Sequence, residues 1–122
     1  MSRQQKKRIV LVEDDPDIRD IFLIVLEKDY QIVALEDGAR ILQRNIGAPD
    51  LFVLDKNISG INGLDLCQFI KRSEKYSNVP VLMLSASPDI LELAQEAGAD
   101  GAVTKPFSID TLCNVISTHI HR

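Results

Sequence analysis

Apolar residues along the chain fall into short β-branched runs that alternate with stretches in which apolar side chains recur at helical spacing. The runs predict five strands, Ile9–Val12, Gln31–Leu35, Leu51–Leu54, Val81–Leu84 and a weaker Gly101–Thr104. Helical periods follow each run, beginning near Ile18, Leu64, Ile90 and Ile109, with a weaker helix over Ala39–Asn45. The chain therefore alternates β and α elements throughout.

Residues with strong end preferences mark the boundaries of these helices. Asp15 followed by Pro16 predicts a capped helix start, and Ser108 caps the last helix in the same way. Asn62-Gly63 provides a turn into the third helix, and Gly98 ends the fourth.

Strict alternation of strands and helices indicates parallel strands joined by right-handed crossovers. The first, third and fourth strands are apolar throughout, as expected when helices cover both faces of a sheet. Gln31 in the second strand, and Gly101 and Thr104 in the fifth, suit the sheet edges. We expect an α/β fold with a doubly wound, flavodoxin-like, five-stranded parallel sheet of strand order 2-1-3-4-5. Residues 8–122 would form this domain and residues 1–7 a basic N-terminal tail.

Composition narrows the class of protein. With 122 residues, 45% hydrophobic and 26% charged, the chain suits one folded domain. The net charge of −4 argues against direct nucleic-acid binding. The short basic cluster before the first strand is more typical of a solvated tail than of a nucleic-acid or membrane arm; it comprises Arg3, Lys6, Lys7 and Arg8. No signal peptide or membrane-spanning stretch is present in the sequence, so we expect a cytoplasmic protein without a membrane partner.

The cysteines and histidines indicate no disulfide and no further metal site. Cys67 and Cys113 lie among apolar neighbours without a CxxC pair, so both are expected to be reduced core thiols. His119 and His121 are two residues apart on a helix and share no face, so we expect both to point into solvent.

Polar side chains gather where the predicted strands end. Ligands of doubly wound sheets bind beyond the carboxyl ends of the strands. The residues at these ends are Glu13-Asp14-Asp15 after the first strand, Asp55 after the third, Ser85 after the fourth and Lys105-Pro106 after the fifth. Any one of them has an ordinary explanation, such as helix capping by Asp15 or solvation of Lys105. Their convergence on one edge favours a functional site.

The chemistry of this edge follows from its charges. Carboxylates about 4 Å apart repel by about 4 kcal/mol at an effective dielectric near 20, so a cation is required. A set of oxygen ligands favours Mg²⁺, with Mn²⁺ as its substitute. A metal ion, a carboxylate and a lysine together suit phosphoryl transfer. Asp55 is then a candidate phosphoryl acceptor, and Ser85 a hydrogen-bond donor to a phosphoryl oxygen.

Four segments in order resemble the receiver domain of two-component response regulators, of the chemotaxis-regulator type. They are VLVEDDPDIR, LFVLDKNISGINGLDL, VPVLMLSAS and GADGAVTKPF, and the resemblance extends from Ile9 to about Ile120.

The resemblance implies a role for each residue of the edge. Asp55 matches the phosphorylated aspartate, while Ser85 and Lys105 match the hydroxyl and the amine that bind the phosphoryl group. The metal ligands would be Asp14 directly, Glu13 through water, Asp55, and the backbone carbonyl of Asn57. The bond between Lys105 and Pro106 is usually cis in this family.

Two departures from the family pattern concern signal output. Ala102 stands where the family usually has a switch aromatic, three residues before the lysine. Ile58-Ser59 replaces a common Met-Pro, and the stretch from Ser85 to Lys105 is slightly short. Ser85, Ala102 and Pro106 are the positions expected to take part in switching, and the usual relay is altered at Ala102.

The favoured function is therefore a phospho-acceptor signalling domain, not an enzyme with turnover. Its donor would be a phosphohistidine on a sensor histidine kinase or a phosphotransfer protein, and its output would act through protein contacts with an unknown target. One alternative is a phosphorylation-independent adaptor, suggested by Ala102. A less favoured alternative is an aspartyl-phosphate hydrolase of the haloacid dehalogenase type. Such enzymes need a second acid two residues after the nucleophile, and this chain has Asn57 at that position.

Overall fold

The protein is described by a computed structural model covering residues 6–121. Five strands of the main sheet alternate with five helices, and a short hairpin follows the third of these strands. In chain order the elements are β1 Lys7–Val12, α1 Pro16–Leu26, β2 Tyr30–Leu35, α2 Ala39–Leu42, β3 Leu51–Asp55, β4 Asn57–Ile58, β5 Ile61–Asn62, α3 Gly63–Arg72, β6 Val81–Ser85, α4 Ile90–Glu96, β7 Gly101–Thr104 and α5 Ile109–Ile120.

The main sheet is parallel and has the order β2-β1-β3-β6-β7. Counted along the chain, its strands are the predicted first to fifth in the order 2-1-3-4-5, so the doubly wound fold class is confirmed. The antiparallel pair β4–β5 was not predicted, because two-residue strands leave no periodic signal in the sequence.

Alternate residues of the central strands enter two separate cores, one on each face of the sheet. Val10 and Phe52 pack with α2, α3 and α4, whereas Ile9 and Leu51 pack with α1 and α5. This two-sided burial explains why β3, β6 and residues 9–12 of β1 are apolar at nearly every position.

The caps predicted at Asp15 and Ser108 are present, and Asn62, which was predicted only as part of a turn, is a cap as well. The side chain of Asp15 accepts a hydrogen bond from the backbone N–H of Asp17, and Asn62 accepts one from Leu64. Ser108 accepts one from the backbone N–H of Thr111. Each supplies an acceptor to an N–H that has no partner inside its helix.

Three expectations need correction. Helix α2 ends at Leu42, not Asn45, because Arg44 adopts a left-handed conformation with φ of 55° that breaks the helical hydrogen bonding. Cys67 is buried, but Cys113 is only half-buried on α5. His121 is exposed, whereas His119 is half-buried, with Nε2 3.2 Å from the carbonyl oxygen of Asp100, because α5 packs this ring over Gly101.

The predicted N-terminal tail of residues 1–7 falls mostly outside the described part of the chain, which begins at residue 6. Lys7 is the first residue of β1. Among residues 6–121, no helix has the length and apolar character needed to cross a bilayer.

Candidate functional site

Backbone hydrogen bonds bring the strand ends together at one edge of the sheet. The N–H of Lys56 donates to the carbonyl of Leu84 at 2.9 Å, which ties the end of β3 to β6. The N–H of Lys105 donates to the carbonyl of Ser85 at 2.8 Å, which ties β6 to the segment after β7. Asp55, Ser85 and Lys105 are therefore neighbours through strand register rather than through sequence.

Three carboxylates form a cluster at this edge. Glu13, Asp14 and Asp55 each place one carboxylate oxygen within 4.8 Å of the others. Glu13 has no exposed surface and Asp55 is 6% exposed, whereas Asp14 is open to solvent. Asp15, the fourth acid of the sequence pattern, is instead the cap of α1.

Lys105 lies against the two buried carboxylates. Its Nζ is 2.9 Å from Oε1 of Glu13 and 3.4 Å from Oδ1 of Asp55. Burial and the adjacent Asp55 carboxylate raise the pKa of Glu13 to about 7, against the opposing effect of Lys105. Burial works against the charge of Lys105, but its hydrogen bond to Glu13 and the charge of Asp55 together raise the pKa of this amine. The lysine is thus held as a cation inside the acidic cluster.

Ser85 ends β6 with only 1% of its surface exposed. Its Oγ accepts a hydrogen bond from the backbone N–H of Ser87 at 3.0 Å. Oγ of Ser87 in turn lies 3.3 Å from Nζ of Lys56, the residue after Asp55. The loop after β6 is therefore connected to the loop after β3 by the contact between Ser87 and Lys56.

The remaining predicted positions lie around this edge. Asn57 begins the hairpin strand β4 and is exposed. Ala102 pairs with Met83 in the sheet and is half-buried against the core on the α3 and α4 side. The Lys105–Pro106 peptide bond is cis.

Gly63 packs directly beneath the loop that follows Asp55. Its N–H donates to the carbonyl of Lys56 at 2.7 Å. A Cβ at this position would lie 2.8 Å from Cα of Lys56 and closer still to the carbonyl oxygen of Asp55. Only glycine allows α3 to start this close to the acidic edge.

Two neighbours of the cluster were missed by sequence reasoning. Oγ of Ser59, in the turn between β4 and β5, donates to Oδ2 of Asp14 at 3.4 Å. Nη1 of Arg19 donates to the carbonyl of Glu13 at 2.8 Å. Nη2 of the same side chain lies 3.7 Å from Oε1 of Glu36. Arg19 sits one helical turn beyond the Asp15 cap, and nothing in the sequence distinguishes it from a surface residue of α1.

The donor set fits a hard divalent cation. Mg²⁺ binds oxygens at about 2.0–2.1 Å in an octahedron, so its ligand oxygens lie about 3–4 Å apart. The three carboxylate oxygens, which lie within 4.8 Å of one another, reach this spacing if their side chains move slightly closer together. The spacing is also met if one of them binds the ion through a water molecule. All three donors are carboxylates, and the exposed Asp14 leaves a path from solvent.

The sheet thus carries an acidic cluster and a lysine at its carboxyl edge, where doubly wound sheets bind their ligands. The model of the response regulator receiver domain matches residues 9–117 of this chain. The chain therefore belongs to the response regulator receiver domain family, whose members are signalling domains.

Individual relatives and solved structures are similar over most of the chain. YrkP, an uncharacterized transcriptional regulatory protein of Bacillus subtilis strain 168, is 41% identical over 86% of this chain and 46% of its own length. The chain thus spans about half the length of the curated relatives it matches. The BeF₃-activated receiver domain of DrrB superposes with a TM-score of 0.85 at 25% identity, covering 97% of this chain and all of that one. The Mn²⁺-bound response regulator Rcp1 superposes with a TM-score of 0.75 at 26% identity, covering 92% and 90%.

Proposed function

We propose that Asp55 is the phosphoryl acceptor of this receiver domain and that the donor is a phosphohistidine of a sensor histidine kinase or phosphotransfer protein. The observation that carries this proposal is the position of Asp55. It lies at the end of β3, 6% exposed, with Oδ1 3.4 Å from the amine of Lys105. A carboxylate so placed serves as a nucleophile whose product charge meets a cation already in position.

In the proposed transfer an oxygen of Asp55 forms a bond to phosphorus while the phosphorus–nitrogen bond of the donor histidine breaks. The bonding electron pair returns to the imidazole nitrogen, which takes a proton from solvent. Lys105 moves from Glu13 and Asp55 toward the new phosphoryl oxygens, a shift within reach of its flexible side chain. Ser85 rotates its hydroxyl to donate to a second phosphoryl oxygen.

Glu13, Asp14 and Asp55 would hold Mg²⁺ or Mn²⁺, together with the backbone carbonyl of Asn57. When bound, the ion supplies positive charge that offsets the charge of the carboxylates and of the transferring group. The chain's own contribution is to bury Glu13 and to leave Asp14 accessible, so that the ion and the donor approach from the same open side.

The output of phosphorylation is proposed to be altered contact with another protein or with a further domain. YrkP is a transcriptional regulatory protein, so regulation of transcription is the output this relative suggests. This domain itself is proposed to make no direct contact with nucleic acid, given its net charge of −4. We propose that it works in the cytoplasm.

Intact mass spectrometry tests the acceptor directly. The protein is mixed with Mg²⁺ and acetyl phosphate, and we expect an adduct of one phosphoryl group per chain. Asp55→Asn should form none, and omission of Mg²⁺ should remove most of it. Asp29→Asn, an exposed acid between α1 and β2, is the matched control and should be phosphorylated like the wild type. An unchanged adduct in Asp55→Asn would refute the assignment, and continuous donor turnover without an adduct would favour a hydrolase.

A phosphorylation-independent adaptor is the second candidate, and Ala102 is the observation that favours it. This side chain is half-buried in β7 and has no ring that could change position when the acidic edge is phosphorylated. Amide NMR spectra with and without beryllofluoride separate the two functions. We expect shifts around Asp55 and Ser85 with smaller changes on α4. An adaptor would show binding to its partner that beryllofluoride leaves unchanged.

A further inference from the structure

A second polar site lies at the opposite end of the sheet from the acidic cluster. A cavity of about 550 Å³ is formed where the segment between α2 and β3 meets the segment between α3 and β6, and it is lined by Arg44, Arg72, Ser73, Glu74 and Lys75. Both segments precede strands of the parallel sheet. The cavity is therefore at the amino ends of these strands, away from Asp55.

The two segments that form the cavity are fixed to one another. Nζ of Lys75 donates to the carbonyl of Arg44 at 2.8 Å. The buried hydroxyl of Tyr76 donates to the carbonyl of Ile46 at 2.8 Å, and the Tyr76 ring packs edge-on against Phe52 with centroids 5.4 Å apart. The cavity thus has a rigid base, which reduces the entropy lost when a ligand is ordered there.

Positive charge in the cavity exceeds negative charge, and two of the three cations have no polar partner among the described residues. Three cations, Arg44, Arg72 and Lys75, face one carboxylate, Glu74. The guanidinium of Arg44 stacks on the ring of Phe69, 4.8 Å from its centroid, which orients its N–H edge. Within residues 6–121, neither the Arg44 nor the Arg72 side chain has a hydrogen-bond acceptor or an ion pair.

Ser73 lines the cavity with a largely buried side chain. It is 4% exposed, and its Oγ is the buried side-chain polar atom that has no hydrogen-bond partner among the described residues. Leaving such a group unsatisfied costs about 1–3 kcal/mol. This Oγ has no solvent-accessible surface, so the Ser73 side chain must rotate before an acceptor in the cavity can take its hydrogen bond.

We propose that this cavity binds a phosphate group carried by a small anion, held by Arg44, Arg72 and Lys75, with the hydroxyl of Ser73 joining them after its side chain rotates. Phosphate suits the set because its oxygens accept from two guanidinium groups at once and still accept from an amine and a hydroxyl. The volume exceeds that of a free phosphate ion and leaves room for a carrier of nucleotide size. The site goes beyond the proposed function, and its failure would leave the role of Asp55 unaffected.

Amide NMR titration of the wild-type protein tests the proposal. Inorganic phosphate, pyrophosphate and ATP without added Mg²⁺ are titrated in separate arms, against sodium chloride at matched ionic strength. We expect saturable shifts at Arg44 and from Arg72 to Lys75 in at least one phosphate arm. Equal affinities for inorganic phosphate and ATP would show that the phosphate group alone accounts for binding. At least tenfold tighter binding of ATP would show that the site also recognises a nucleotide-sized carrier.

Variants separate this site from general charge effects. Arg44→Gln and Arg72→Gln should each weaken binding about tenfold, and Ser73→Ala about threefold. Arg40→Gln, which removes an exposed arginine of α2 that does not line the cavity, should leave affinity within twofold. Circular dichroism melting of each variant checks that the fold is retained. Shifts matched by sodium chloride, equal losses in Arg40→Gln and Arg44→Gln, or the absence of saturable shifts in every phosphate arm would each overturn the proposal.

Discussion

Nζ of Lys105 lies 2.9 Å from Oε1 of Glu13, a carboxylate with no exposed surface. A buried carboxylate without a partner would carry a large desolvation cost, and the lysine offsets it. The same amine lies 3.4 Å from Asp55. Lys105 thus balances charge that a divalent cation at this cluster would also balance, so we expect the two cations to compete for the same acids.

Replacement of Lys105 by methionine should therefore have opposite effects on two measurements. Mg²⁺ affinity should rise several-fold, because the competing cation is gone, while formation of the phosphoryl adduct should fall at least tenfold. Isothermal titration calorimetry measures the first effect and intact mass the second. Lys28→Met, at an exposed position after α1, is the control and should change neither. Weaker Mg²⁺ binding in Lys105→Met would contradict the competition.

Gly63→Ala should destabilise the fold and disturb the site together. The added Cβ would press on the backbone of Asp55 and Lys56, which have no flexible atoms to move away. We expect a loss of about 3 kcal/mol in the free energy of unfolding, measured by urea denaturation. The control is Gly60→Ala, where a φ of 87° is strained for alanine but no atom lies within 4 Å of the added Cβ. That variant should lose about 1 kcal/mol. Equal losses in both variants would show that steric pressure at Gly63 is not the cause.

Removal of the Asp100 carboxylate should weaken the packing of α3 and β6. Its Oδ2 accepts from Nζ of Lys71 at 2.8 Å and from the backbone N–H of Val81 at 2.9 Å. Asp100→Ala leaves the N–H of Val81 without this side-chain acceptor and should cost about 1–3 kcal/mol of unfolding free energy. Asp29→Ala, at an exposed position, should stay within about 0.5 kcal/mol of the wild type. Chemical denaturation of both variants decides whether Asp100 is structural.

The two cysteines should differ sharply in reactivity. Cys67 is buried, its Sγ lies 3.6 Å from the carbonyl oxygen of Ala97, and burial raises its pKa to about 11. At pH 8 the Cys67 thiol is protonated and inaccessible, so iodoacetamide should label the half-buried Cys113 first. Peptide mapping of the alkylated protein, with and without urea, measures the order. Rapid labelling of Cys67 in the folded protein would contradict the burial seen in the structure.

Much of the fold was predictable because its signals are local. Apolar runs of four or five residues located the strands, and Asp15, Asn62 and Ser108 located helix starts, since a cap acts on N–H groups two or three residues away. The end of α2 was wrong, because the left-handed turn at Arg44 is not encoded by a residue type that favours it. His119 was also wrong, since its carbonyl partner Asp100 belongs to the segment before β7, distant in sequence.

Periodicity and residue order were enough to predict an alternating α/β domain whose strands end in acids, a hydroxyl and a lysine, because those features are local to the chain. Only the folded chain shows which acids are buried and how Lys105 is shared between Glu13 and Asp55. It also shows that the Ser73 hydroxyl, near three cations, has no hydrogen-bond partner among residues 6–121. Those properties depend on distance and solvent exclusion between segments far apart in sequence, and residue order alone does not specify them.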